Sequence, residues 1–227
     1  NGVIGGNLPN FPSFRQGVAL GPFLQHHYGI PVYIENDGNL FAYGEALSGA
    51  LPMGNRELEA MGHDRIYKNL LGITLGTGFG AGVVIDNRLL TGDNGCGGDV
   101  WLMRNKKYPS MLAEESVSIR AVKRVYRELS GVQDVNLTPK DIYEIAEGIK
   151  EGDKKAAIAS FQELGEMAGS AIASALNIVD GLVVIGGGLA GASHYILPAL
   201  VNELRATLSM FSGEQFPCLQ MEVYNWE

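Results

Sequence analysis

The segment Glu35-Asn36-Asp37-Gly38-Asn39 puts a carboxylate directly after a short β-rich run, beside an amide and ahead of a glycine. That arrangement suits a general base acting on a hydroxyl. Asn36 can donate and accept at once and so fix the hydroxyl's orientation, which leaves Asp37 to take the proton as a phosphoryl group arrives. The same residues also make an ordinary turn, because Asn, Asp and Gly are all favoured there.

Two glycine-rich turns could supply the other half of such chemistry. ITLGTGFGAGVVID (73–86) sets Thr77 with Gly76, Gly78 and Gly80 between two apolar β-runs. Glycines let backbone approach a ligand closely and expose amide N–H groups, and Thr77 adds a hydroxyl. Together these can cradle phosphate oxygens. A hairpin whose glycines only satisfy turn dihedrals would carry the same sequence. VVIGGGLAG (183–191) matches G-x-G-x-x-G through Gly186, Gly188 and Gly191, after a predicted strand and before a predicted helix, as a dinucleotide fingerprint would. An oxidoreductase is therefore a competitor. Against it, only residues 192–227 follow Gly191, too few for the rest of such a domain, and Glu203 falls inside a predicted helix where the fingerprint wants an acid on the next strand. The alternative use of this element is to let an adenine ring lie against glycine backbone at a strand end.

These residues need a scaffold to hold them. PVYIEND (31–37) reads as a short strand headed by proline, and 39–48 as a helix through Leu40, Phe41, Tyr43 and Leu47. Residues 49–69 are polar and punctuated by Gly and Pro, which predicts a loop. LLGITLG (70–76) and GAGVVID (80–86) read as antiparallel strands, followed by an Asp86-Asn87 turn. From about Ala113 a helix places Val117, Ala121, Val122 and Val125 on one face and stops at Gly131. Thr138-Pro139-Lys140-Asp141 starts another helix with a cap and a first-position proline, and Asp153 caps a long one through Ile178. DGLVVIGGG predicts a buried strand, 193–209 a helix, and LQMEVYN (219–225) a last strand. No period of about 20 to 50 residues repeats. The lobe boundary is expected near 115.

Composition narrows the setting. With 227 residues and 46% hydrophobic content the chain can bury a large core, and a net charge of -8 opposes nucleic-acid binding. Arg104, Lys106 and Lys107 form one basic cluster, read as a solvated loop. Cys96 and Cys218 sit in no metal or redox spacing, which suits a reducing cytoplasm. No apolar run approaches the roughly 18 to 20 residues of a membrane span.

Taken together, IENDGN…GE, ITLGTGFGAGVVIDNRLLTGDNGCGGD, AEESVSIRAV and VVIGGGLAG stand in the order and approximate spacing of the ROK (repressor, ORF, kinase) sugar kinases, and the chain resembles that family over nearly its whole length. The resemblance implies an α/β fold of the actin-like ATPase (ribonuclease H-like) type, a mixed sheet flanked by helices with a helical insertion. It implies ATP-dependent phosphorylation of a hexose or amino-sugar hydroxyl, with ATP and Mg2+ and with Asp37 as the catalytic base. Asn36 and the Asn10 of Pro9-Asn10 would bind the sugar, Thr77 and Gly78 the ATP phosphates, and Gly186, Gly187 and Gly188 would lie near adenosine.

The chain also departs from the family pattern. The sugar-binding Glu-x-x-His is replaced by Asp99-Val100-Trp101-Leu102, so Asp99 keeps a carboxylate one methylene shorter and the histidine is absent. Glu114 in AEESVS resembles a second sugar-binding glutamate, with Ile119 where the family has glycine. Where zinc-containing members carry His and a cysteine cluster, LMRNKKYPSML (102–112) has neither, so no zinc is expected. The family's amino-terminal Asp-x-Gly-x-Thr loop is not in this sequence, which also opens without Met, and the chain reads as an amino-terminally truncated fragment expected to be inactive alone. Residues 1–114 would form the sugar-binding part and 115–227 mainly the nucleotide-binding lobe with its helical insertion. A homodimer is expected, with no membrane or nucleic-acid partner. The second reading is the sugar-sensing domain of a ROK-type transcriptional regulator, and the intact Asn36-Asp37 pair favours the kinase.

Overall fold

The computed structural model describes residues 2–5, 12–133 and 136–226, and its contacts divide the chain into two compact units, Asn1–Asn36 and Asp37–Glu227. In the first unit an isolated bridge pairs Ile4 with Val18, and Gly21 donates its N–H to the Gly2 carbonyl at 2.8 Å. Helix α1 (Leu20–Tyr28) follows and stops at Gly29, which takes the left-handed conformation (φ 66°) and returns its N–H to Gln25. The run 31–36, expected as a strand, is not one. No ladder partner meets it among the described residues, and Tyr33 is 89% exposed. β-Propensity alone leaves such a segment merely extended, because strands are stabilised by their neighbours.

The second unit is built on a mixed four-stranded sheet of β1 (Leu70–Leu75), β2 (Phe79–Ile85), β3 (Arg88–Leu89) and β4 (Leu182–Gly186) in the order β3-β2-β1-β4. β1 and β2 pair antiparallel across the 76–78 turn, and β2 and β3 pair across Asp86 and Asn87, both at positive φ (49° and 61°) as an Asp-Asn hairpin turn requires. β4 returns parallel to β1, with Thr74 opposite Gly186. β4 ends the sheet order and is half-buried throughout, where the sequence predicted full burial. An antiparallel pair at the centre is not the parallel sheet that a dinucleotide fingerprint opens, so Gly186-x-Gly188-x-x-Gly191 does not serve that fold here.

β1 is buried on both faces. Leu71, Ile73 and Leu75 face a helical layer, while Leu70 joins Ala42, Ala46, Leu51 and Val84 in a smaller core on the other side. The helical layer holds α4 (Ile119–Ser130), α5 (Pro139–Glu147), α6 (Lys154–Val179) and α7 (Ser193–Leu204), and its starts follow the sequence signals. Ser118 caps α4, Asp153 caps α6, and Thr138 with Asp141 closes a full capping box on α5, with Pro139 in its first turn. α6 and α7 touch at backbone distance: a Cβ on Gly165 would lie 2.3 Å from the Ile196 carbonyl oxygen, and one on Gly169 2.8 Å from that of Leu200.

On the opposite face α2 (Asp37–Leu47) lies on β1 and β2, and α3 (Ala50–Ala60) follows where the sequence predicted a loop. Pro52 does not break α3 because it stands in the first turn, where its missing N–H would have had no intrahelical partner. Gly54 does not break it either, since its bare Cα makes room for the Trp226 ring, which a Cβ there would approach to 3.1 Å. At the other end the helix expected over 193–209 stops at Leu204, and β5 (Thr207–Ser209) pairs with β6 (Gln215–Pro217) around Gly213 (φ 87°). The expected strand over 219–225 has no ladder; Arg205 holds it by donating to the Val223 carbonyl at 2.6 and 3.2 Å.

Gly82→Ala should lower stability by about 1–3 kcal/mol, because its Cβ would lie 2.6 Å from the Gly38 oxygen and 2.7 Å from the Ala42 Cβ. Gly44→Ala, also on α2 but with nothing within 4 Å of its Cβ, should instead stabilise by about 0.5–1 kcal/mol. Urea titration of the two variants checks the pair, and equal effects would show that α2 can lift off the sheet.

Candidate functional site

Three segments singled out by the sequence meet at one end of the sheet. Asp37 opens α2, and α2 begins directly on β2, since a Cβ on Gly38 would lie 2.8 Å from the Ala81 oxygen. The exposed Asp37 carboxylate accepts from the Gly38 N–H at 2.9 Å through Oδ1. It stands in the first turn of the helix, where the unpaired N–H groups of a helix end favour an acidic side chain. Asn39 is buried behind it. Asn36 closes the first unit, its N–H donating to Glu35 Oε1 at 2.9 Å, and Asn10 lies outside the described residues.

The 76–78 turn joins the C-terminal end of β1 to β2, and its backbone is held from the protein side. Ile119 N–H donates to the Gly76 oxygen at 2.9 Å, Arg120 Nη1 to the Thr77 oxygen at 3.4 Å, and Gly76 N–H to the Gly78 oxygen at 3.1 Å. The amides of Thr77 and Gly78 meet no acceptor among the described residues, and Thr77 is exposed. A turn with its carbonyls engaged and two successive amides open is what an anion needs. Gly186–Gly188 lie alongside: Gly187 (φ 94°) passes so close that its Cβ would lie 2.5 Å from the Leu75 oxygen, and the next bond in line is Leu189 N–H to that same oxygen at 2.9 Å. Gly76 and Gly188 have nothing within 4 Å on their Cβ side, so a flat or anionic group can reach this backbone.

Two acids of the sequence reading take different positions. Asp99 is exposed just before the short 3-10 turn Val100–Leu102, and its Oδ1 accepts from Trp101 Nε1 at 3.1 Å. Gly98, beside it, packs over Ala81 and Gly82, the same stretch of β2 that carries Gly38. Glu114 is seated on the Thr77 turn: Oε2 accepts from the Phe79 N–H at 3.1 Å, and Oε1 lies 3.2 Å from Arg120 Nη2. Burial alone would lower the Arg120 pKa, and the hydrogen bonds to Glu114 and Glu115 raise it instead. Arg120 escaped the sequence reading because nothing in its spacing separates it from an ordinary exposed helix residue.

The basic cluster stays exposed, as a solvated loop does, and its lysines are paired with acids. Lys106 reaches Glu203 at 2.8 Å and Glu166 at 3.1 Å, Lys107 reaches Glu163 at 2.7 Å, and Arg124 lies over the Tyr108 ring. Burial would lower the Lys106 pKa; hydrogen bonds to Glu203 and Glu166 hold it above its ordinary value. Arg104 bridges to Leu112, closing the segment into a loop. Inside it Asn105, 2% exposed, accepts from the Lys107 and Tyr108 N–H groups through Oδ1 and donates to the Leu112 oxygen and to Ser116 Oγ. Asn105 was missed because a single Asn in a polar run carries no distinguishing signal. Among the described residues no group of three or more His, Cys, Asp or Glu could hold a metal ion.

The ROK family profile matches residues 7–222. The chain is 29% identical to a glucokinase of Thermotoga maritima over 92% of its own length and 70% of that protein. It is 27% identical to a xylose repressor of Caldicellulosiruptor bescii, over 92% of its own length and 52% of that protein. The crystal structure of a glucokinase from Parabacteroides distasonis, 67% identical, matches with a TM-score of 0.82 over 89% of this chain and 56% of that one. The chain therefore spans between about half and 70% of the length of these relatives.

Asn105→Ala should destabilise by about 1–3 kcal/mol for the buried donors and acceptors it orphans, whereas a strong chelator should leave the melting temperature unchanged. A chelator-sensitive melting curve, or stoichiometric zinc in the purified protein, would show that metal rather than this amide holds the 102–112 loop.

Proposed function

The chain belongs to the ROK family, with the actin-like ATPase fold of its structural relatives, and from that premise we propose that the whole protein phosphorylates a sugar hydroxyl with ATP as the donor. Glucose is the first substrate to test among hexoses and amino-sugars, on the strength of the 67% identity to a protein described as a glucokinase. The observation that carries the reading is the meeting of Asp37, the Thr77 turn and Gly186–Gly188 at one sheet end.

In this reading Asp37 takes the sugar hydroxyl's proton, with Oδ1 tethered to the Gly38 N–H so that the carboxylate cannot swing freely. Asn36, Asn10 and Asp99 orient the sugar through hydrogen bonds. The amides of Thr77 and Gly78 and the Thr77 hydroxyl receive phosphate oxygens, and the backbone of Gly186, Gly187 and Gly188, uncovered on the Cβ side at Gly188, lies against adenosine. ATP, when bound, supplies the phosphoryl electrophile. Mg2+ is expected with the nucleotide, and no described side-chain cluster is assigned to hold it. Residues 1–114 are assigned to the sugar-binding part and 115–227 mainly to the nucleotide-binding lobe, in a cytoplasmic homodimer. The similarity to a xylose repressor supports one second reading, a sugar-sensing domain of a regulator.

Asp37→Asn in the full-length protein should lower kcat by about 10²- to 10⁴-fold and leave sugar affinity within about tenfold, because the amide keeps hydrogen bonding but cannot accept the proton. Steady-state kinetics with calorimetry of glucose binding checks it. Wild-type-like turnover in the variant removes Asp37 from the mechanism, and a full-length wild type that binds sugar without producing ADP moves the protein to the regulator class.

A further inference from the structure

Two exposed carboxylates are brought to the same stretch of β2. Gly38 and Gly98 both lie over the Ala81 carbonyl: a Cβ on the first would stand 2.8 Å from its oxygen and one on the second 3.5 Å. Asp37 and Asp99 are the chain neighbours of these two glycines, and both are exposed. Each has one oxygen tied to an N–H donor. Asp37 Oδ1 accepts from Gly38 at 2.9 Å, and Asp99 Oδ1 accepts from Trp101 Nε1 at 3.1 Å. Oδ2 of Asp99 meets no donor among the described residues. We infer that Trp101 is a positioning residue of the sugar pocket: its indole N–H holds the Asp99 carboxylate so that the other oxygen accepts one sugar hydroxyl while Asp37 acts on another. This rests on the phosphoryl-transfer reading above.

The bond is more than local turn chemistry. An acid directly ahead of a helical turn ordinarily accepts from that turn's own backbone N–H groups. Asp153 does so on α6, as Ser118 and Thr138 do on α4 and α5. Asp99 stands in the same place ahead of Val100–Leu102 and makes no such bond, so its carboxylate is left to the indole and to solvent. The indole is the fixed member of the pair. Trp101 is half-buried and packs against the main core, Val100 before it is 2% exposed, and Met103 closes the turn by donating its N–H to the Val100 oxygen at 3.0 Å. A large ring set against a close-packed core has few rotamers open to it. Indole nitrogen can only donate, so the group it orients must be an acceptor. Without that donor Asp99 would be an exposed side chain free to change rotamer, and the sugar would have to order it on binding. With it, a hydroxyl meets an acceptor that is already placed.

The test is calorimetry of glucose and of ADP binding to the full-length protein, with tryptophan emission as a second readout. Trp101→Phe keeps an aromatic ring against the core and removes the N–H. It should weaken glucose binding by about five- to fiftyfold and leave ADP binding within about threefold. Asp99→Ala should lose at least as much glucose affinity. The double variant Trp101→Phe/Asp99→Ala should bind glucose no more weakly than Asp99→Ala alone, because the N–H then has no carboxylate to hold. A ring that served only core packing would show no such coupling, and its loss would add in full to that of Asp99. Saturating glucose should shift the tryptophan emission of the wild type, and Trp101→Phe should lose most of that shift. Asp99 is exposed, so Asp99→Ala keeps the test readable if Trp101→Phe disturbs folding: it too should lose the shift at saturating glucose. Unchanged glucose binding in Trp101→Phe, fully additive losses, or an undiminished shift in Asp99→Ala overturns the inference and leaves the kinase reading intact. A wild type that binds glucose with this coupling but forms no ADP overturns the kinase reading and supports the inference, and one that binds no hexose or amino-sugar overturns both.

Discussion

A backbone-to-backbone contact between the start of α2 and strands β1 and β2 sets the depth at which Asp37 stands. Gly38 and Ala42 on the helix meet Gly72 on β1 and Ala81 and Gly82 on β2 so closely that an added methyl would collide: a Cβ on Gly72 would lie 2.6 Å from the Ala42 Cβ, and one on Gly38 2.8 Å from the Ala81 oxygen. Ordinary helix-on-sheet packing interposes side chains, which flex. Here only the Ala42 methyl, which has no rotamer to change, stands at the contact, so the helix start inherits the rigidity of the strands. The carboxylate borne by the first residue of that helix is then fixed relative to the turn that ends β1, because helix and turn are built on the same two strands.

The sheet's topology does the rest of the assembly. β1 and β4 run parallel and end together, so the turn after each strand opens on the same side, and Gly187 crosses the end of β1 close enough for Leu189 to bond to the Leu75 carbonyl. The long excursion between β2 and β4 is not a spectator. It returns the 3-10 turn Ala113–Glu115 and the start of α4 to the Thr77 turn, where Ile119 and Arg120 take up the carbonyls of Gly76 and Thr77. Local sequence supplies the glycines, and the helical insertion supplies the groups that hold them in the conformation that exposes amides.

Much of this was readable in the residues and part was not, for physical reasons. The central hairpin, the Asp86-Asn87 turn and the starts of α4, α5 and α6 were legible because each depends on local chemistry: a turn that needs positive φ, a Ser, Thr or Asp that caps, a proline in a first turn. α3 was hidden because Pro52 and Gly54 are read as breakers unless their place in the helix and the Trp226 ring against Gly54 are known. The strands expected at 31–37 and 219–225 failed for the opposite reason, since β-rich composition says nothing about whether a partner strand is present. Within the site, Asp37, Thr77, Gly78 and Gly186–Gly188 could be named from sequence, but the place of Glu114 could not. Its carboxylate is defined by contacts with Phe79 and Arg120, one of which lies 35 residues away.

The loop 102–112 shows how magnitudes decide which of several visible interactions matters. Its ion pairs are numerous, yet Lys106 and Lys107 remain nearly half exposed, and exposed pairs contribute about 0–1 kcal/mol each, less in salt. Asn105, by contrast, is buried, and its amide satisfies two backbone N–H groups, one carbonyl and one hydroxyl that would otherwise lack these partners. Each such loss is of order 1–3 kcal/mol. The lysines therefore steer the loop onto α6 and α7, while the asparagine defines its shape. Because Asn105 bonds to Leu112 and Ser116, on either side of Glu114, the shape it defines runs directly into the carboxylate that sits on the Thr77 turn.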